Sequence, residues 1–192
     1  MNKFLAISLI IVALVTGIGI GYLISPYYQQ EMGMKEQQMD LGAADRWVDL
    51  RYINAMIAHH QGAILLAEQA EENTSRPEIK ELAAAIKKGE PELIQELYDL
   101  KKTMYNDTYQ VPEPTVANLG SADKNADLRF LNALIAHHEA GIMMTEEIRV
   151  KSSDNRILDN ADAVENFLKG SLMTLKEWRT AWYNVTVPSV IN

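Results

Sequence analysis

All four histidines of the 192-residue chain stand in two adjacent pairs, His59–His60 and His137–His138. Each pair is set in nearly the same text, "NAMIAHHQGAILLA" and "NALIAHHEAGIMMT". Imidazole serves as an acid or base, a pH-sensitive group or a metal ligand. Thioethers lie close to both pairs: Met56 comes before the first, and Met143 and Met144 follow the second. Imidazole with thioether, and no thiolate, is a donor set that favours Cu(I), and Ag(I) by the same softness. Zinc held by histidine with Asp49 or Asp127 is the second metal such residues admit. The chain has no cysteine, so disulfides, thiolate sites and thiol catalysis are excluded.

Enzyme readings fit less well. A di-iron carboxylate centre in a helical bundle uses Glu-x-x-His pairs. The residues three places before the histidines are Met56, Ile57, Leu134 and Ile135. No Ser-His-Asp pattern and no glycine-rich phosphate loop is present. Glu139, beside His138, reads as solvated. The expectation is a binding protein and not an enzyme. A net charge of −8 argues against a nucleic-acid partner, which would need a basic surface. The alternative is a metal-free helical interaction module, with the histidines as core polar groups or a pH switch.

Helical spacing restricts how the donors can be used. At about 100° per residue, His59 and His60 fall on the buried side of an amphipathic helix with Met56 between them. Two rings 100° apart cannot easily share one ion on a straight helix. Met56 pairs with His59 at i, i+3 and with His60 at i, i+4. The second copy has Leu134 in place of that methionine. Its Met144 follows His137 by seven residues, roughly 10 Å along a helix and too far to share an ion. Sites shared between the two copies, mixing Met56, His59, His60, His137, His138 and Met144, fit best. Met143 falls on the polar side and is a weaker candidate. Asp49 and Asp127 share the histidine face but lie nearly three turns away, where they favour a helix N-terminus.

The elements that must carry these residues form a tandem repeat. With Asp49 set against Asp127, an offset of 78 residues aligns Arg51 with Arg129, Asn54 with Asn132, both histidine pairs and, without a gap, Tyr105-Asn106 with Tyr183-Asn184. Each unit reads as two helices, over about 45–72 and 76–105, and again over about 123–151 and 154–183. Ser75-Arg76-Pro77-Glu78 suggests a capping box. Gly89-Glu90-Pro91 should kink or interrupt the second helix. The pattern predicts an all-α four-helix bundle built from two tandem helical hairpins. The bundle should span 45–186, with repeat units over 45–106 and 123–184 and a tail over 187–192. Residues 25–44 read as a polar linker, whose Met32, Met34 and Met39 are further weak metal candidates. Residues 4–24 carry no charge and would span roughly 31 Å as a helix, matching a bilayer core. Residues 1–24 therefore read as a transmembrane anchor or signal segment. A lone Lys3 ahead of the apolar run suggests export of the remainder. The mature chain would then face the periplasm or the extracellular side, held to the cytoplasmic membrane by its N-terminal helix.

The two histidine segments resemble the M-I-x-H-H-x-x-A-x-x-M-A signature of the CopM-like family, exported ferritin-like domains of unknown function. The resemblance covers about residues 45–184. It implies a ferritin-like four-helix fold, a role in copper resistance or buffering, and Cu(I) and Ag(I) binding through Met56, His59, His60, His137, His138 and Met144. The chain departs from the signature at Leu66 and Leu134, where it lacks methionine.

Overall fold

The computed structural model describes residues 40–184. Four helices carry that region, and no strand forms among the described residues: α1 (Val48–Asn73), α2 (Pro77–Tyr105), α3 (Ala126–Lys151) and α4 (Asn155–Tyr183). Every start and stop in the second half lies 78 residues beyond its counterpart in the first. The flanking chemistry repeats as well. Asn106 and Asn184 close α2 and α4 in the left-handed conformation, at φ 51° and 52°. Gly42 and Gly120, at φ 72° and 71°, turn the chain beneath a guanidinium. Arg51 donates to the carbonyls of Leu41 and Ala43, and Arg129 to those of Leu119 and Ser121. These hooks fold the approach to each histidine helix back over it, and Leu41 and Leu119 become buried.

One local expectation is corrected, and the interruption expected as one outcome at Pro91 does not occur. The capping box does not form, because Arg76 and not Ser75 occupies the N-cap of α2 and no side chain caps it. Thr74 Oγ1 instead accepts from the Arg76 N–H at 3.1 Å, and Pro77 opens the helix with its fixed φ. In the second copy Asp154 is a working cap, accepting from the Arg156 N–H at 2.9 Å. Nor is α2 interrupted at Pro91. Proline removes one donor there, while buried Ile86 and Leu97 on either side keep both flanks packed. No helix among the described residues is long and apolar enough to cross a membrane. The anchor expected over residues 1–24, and Met32, Met34 and Met39, lie outside the described residues.

Within each hairpin the two helices pack together, α1 on α2 and α3 on α4, and the hairpins meet through α1 and α3. Gly62 of α1 lies against His137 of α3, and Gly141 of α3 lies against His59 of α1, so the two histidine helices run antiparallel. The apolar core divides into two clusters. One is built around Leu66, Ile79, Phe130, Leu131 and Leu134. The other holds Tyr52, Ile53, Met56, Met144 and Ile157, which occupy the matching positions of the opposite repeat. Along α1 and α3 alike, one cluster ends and the other begins at the histidine pair. The segment between the hairpins packs too: Val116 and Ala117 sit on the first cluster, and Gln69 bonds the Ala117 carbonyl and the Leu119 N–H.

Candidate metal centre

The four imidazoles form a polar layer between the two apolar clusters. All four are buried. His59 and His137, one from each repeat, stack in parallel with ring centroids 3.8 Å apart. Within each pair the rings are turned apart, at 6.1 Å for His59–His60 and 6.4 Å for His137–His138. The close approach of α1 and α3 depends on glycine. A Cβ on Gly141 would lie 2.5 Å from Leu168 Cδ1 and 2.6 Å from His59 Nε2, and one on Gly62 would lie 3.2 Å from His137 Cε1. Glycine inside a helix costs about 1 kcal/mol relative to alanine, a cost set here against seating the ring.

The histidines border a small cavity of about 60 Å³ between the hairpins. Its walls are otherwise mostly apolar, and among the described residues Glu90 is its one acidic side chain. Glu90 is itself buried and hydrogen-bonded to His60 Nδ1. With Glu90 as an accepting carboxylate, the proton of this bond sits on Nδ1. His138 Nε2 meets the Ser171 hydroxyl at 2.9 Å. Two buried ring nitrogens, His60 Nε2 and His137 Nε2, have no hydrogen-bond partner, and His138 Nδ1 makes no well-formed hydrogen bond, with only the Leu134 carbonyl approaching its ring. Leaving a buried polar atom unpaired costs about 1–3 kcal/mol, so such atoms gathered at one place call for a ligand.

Three of the four rings are held neutral. Burial first, and then the neighbouring imidazoles, hold His59 well below the usual histidine range. Burial with His60 nearby lowers His137 to about 4. Burial and then His137 lower His138 to about 3, partly offset by the Leu134 carbonyl approaching its ring. A neutral imidazole offers a lone pair, and a cation is the natural guest for such a layer. Among the described residues, no three or more His, Asp or Glu are placed to hold one ion. A tetrahedral nitrogen–oxygen site would need at least three such donors around one ion.

Met56 and Met144 come from different repeats and lie in the same apolar cluster, both buried. Neither lines the histidine cavity. In the other cluster their places are taken by Leu134 and Leu66. The methionine that leads one copy of the motif and the one that trails the other therefore converge in one half of the core. Tyr52 marks the same half, donating to Asn160 Oδ1 at 2.8 Å, where the opposite repeat has Phe130 and Leu82. The weaker candidates lie elsewhere. Met143 is 46% exposed. Asp127 accepts from Thr74 Oγ1 at 2.5 Å and pairs with Arg76 at 3.4 Å, tying the start of α3 to the first hairpin turn. Asp49 sits near Tyr105 and Arg156, away from the cavity. Glu139, expected to be solvated, pairs with Lys176 at 2.8 Å. Sequence reasoning passed over Glu90, Ser171 and the two glycines as site residues. Only the glycines left a signal, as helix breakers within the motif itself.

Comparison with known proteins gives the same architecture. A family described as "Domain of unknown function (DUF305)" matches over residues 27–101 and 49–126. No curated protein matches the chain significantly. Among solved structures, CopM in its Cu(I)-bound form is similar at a TM-score of 0.63 and 26% identity, over 72% of this chain and 99% of that one. CopM in an Ag-bound form, obtained by co-crystallization, gives 0.62 and 25%, over 70% and 97%. The apo form gives 0.62 and 27%, over 70% and 98%.

Proposed function

We propose that this chain, which belongs to the DUF305 family of domains of unknown function, binds Cu(I), and Ag(I) by the same chemistry, to sequester or buffer copper outside the cytoplasm. One observation carries the reading: buried imidazoles from both repeats surround one cavity and leave ring nitrogens without a well-formed hydrogen bond. The buried pair Met56 and Met144 supplies thioether donors next to that layer, and imidazole with thioether selects soft monovalent copper. The similarity to CopM, whose structures include Cu(I)-, Ag- and Cu(II)-bound forms, supports the same metal class. In this reading Met56, His59, His60, His137, His138 and Met144 supply the donors from which each bound ion takes its few ligands, and the protein works by retention and exchange without turnover. The uncharged run at residues 4–24 supports export and membrane anchoring.

Anaerobic titration against a chromogenic Cu(I) chelator tests this on the chain from Gln29 onward. The protein should withdraw Cu(I) from the chelator, and replacing all four histidines with alanine should abolish most of that competition. No competition by either protein would leave a metal-free helical module as the better account, and equal competition by both would put the copper on donors other than the histidines.

A further inference from the structure

The cavity is not symmetric, although the fold around it is. Glu90 is buried beside His60, whereas its counterpart 78 residues on is Leu168. Ser171 sits beside His138, whereas its counterpart is Leu93. Neither lysine nor arginine lines the cavity, so the Glu90 carboxylate meets no basic side chain there beyond the imidazoles. A buried carboxylate without a countercharge is costly, and a buried cation beside neutral imidazoles is costly for the opposite reason. Each removes the other's penalty. The hydrogen bond between His60 Nδ1 and Glu90 also leaves one nitrogen for a ligand: with the carboxylate accepting from Nδ1, the lone pair is on Nε2, which is one of the unpaired buried atoms. Outer partners of this kind orient a ligating ring and strengthen it as a donor.

We propose that Glu90 is the positioning and charge-balancing residue of the site. It fixes His60 to bind through Nε2 and neutralises one monovalent cation, which makes the first repeat's side of the cavity the tighter one. The inference rests on the copper reading above and specifies which ring nitrogen and which carboxylate give it strength. It also assigns unequal roles to two histidines that the repeat makes look equivalent. Binding at His60 Nε2 displaces at most a proton to solvent, and no electron transfer is needed.

Silver serves as the probe, because a spin-½ Ag(I) nucleus couples directly to a ligating ¹⁵N. In the metal-free wild-type chain, long-range ¹H–¹⁵N spectra should show His60 Nδ1 protonated. On Ag(I) loading the coupling should appear at His60 Nε2. Glu90→Gln keeps the size and removes the charge, and should weaken Ag(I) binding by roughly 10- to 100-fold with unchanged helical circular dichroism. Glu90→Leu, which copies the second repeat's residue, should weaken it at least as much. A purely structural Glu90 would alter the melting temperature and leave Ag(I) affinity and the coupled nitrogen unchanged. Unchanged affinity in Glu90→Gln, or coupling at His60 Nδ1, overturns the proposal and leaves the copper reading standing. Failure of the wild type to bind Ag(I) or Cu(I) at all removes both. Should the Glu90 variants not fold, the wild-type spectra decide alone, since an unprotonated His60 Nδ1 in the metal-free protein is equally fatal.

Discussion

His137 and His138 are stable in the core only while neutral. The unfolded chain takes up a proton near pH 6.5, whereas His137 resists until about 4 and His138 until about 3. Between those values the unfolded state binds more protons, so stability rises with pH and falls as the medium is acidified. Each such histidine contributes a slope of about 1.4 kcal/mol per pH unit within its window. Urea midpoints of the metal-free protein should therefore drop between pH 7 and pH 5, and His138→Ala should flatten that dependence; a pH-independent midpoint would contradict it. The burial of the four rings was readable from sequence, since helical spacing alone puts them on the inward face. Their partners were not. Glu90 lies 30 residues from His60, on another helix and at a position that breaks the repeat, so no periodicity points to it.

At the level of elements, the closeness of α1 and α3 rests on missing side chains. Gly141→Ala would drive a methyl into Leu168 and His59. It should cost about 1–3 kcal/mol by overpacking and weaken metal binding by moving the His59 ring. Gly170 is the control. It lies in α4, where an added methyl would meet nothing within 4 Å, so Gly170→Ala should stabilise by about 0.5–1 kcal/mol with metal affinity intact. Thermal unfolding of both variants, with and without Ag(I), checks the pair. Helix limits were legible to within about three residues because caps, turns and apolar spacing are local. The Thr74 hydroxyl replacing a capping box, and the unbroken α2 at Pro91, were not, because both depend on what packs against the turn.

For the whole molecule, the repeat brings side chains of two copies to one cavity. The sequence already held the clue that Met56 leads one pair while Met144 trails the other, but antiparallel packing was needed to show that the two meet in one half of the core and two leucines in the other. Coupling should therefore cross the repeats. His60→Ala and His137→Ala should each cause most of the loss in Cu(I) affinity seen in the double variant, a non-additive cycle, and Leu66→Met with Leu134→Met should add thioether donors and raise the amount of Cu(I) retained. Additive losses would indicate two independent sites. The central claim, that imidazoles of both repeats hold the ion, is tested most directly by locating it. An anomalous difference map at the copper edge, from crystals of the chain loaded anaerobically with Cu(I), should place the strongest peak in the cavity bordered by His60 and His137. A map whose copper lies only outside that cavity, with the histidine layer empty, would contradict the account.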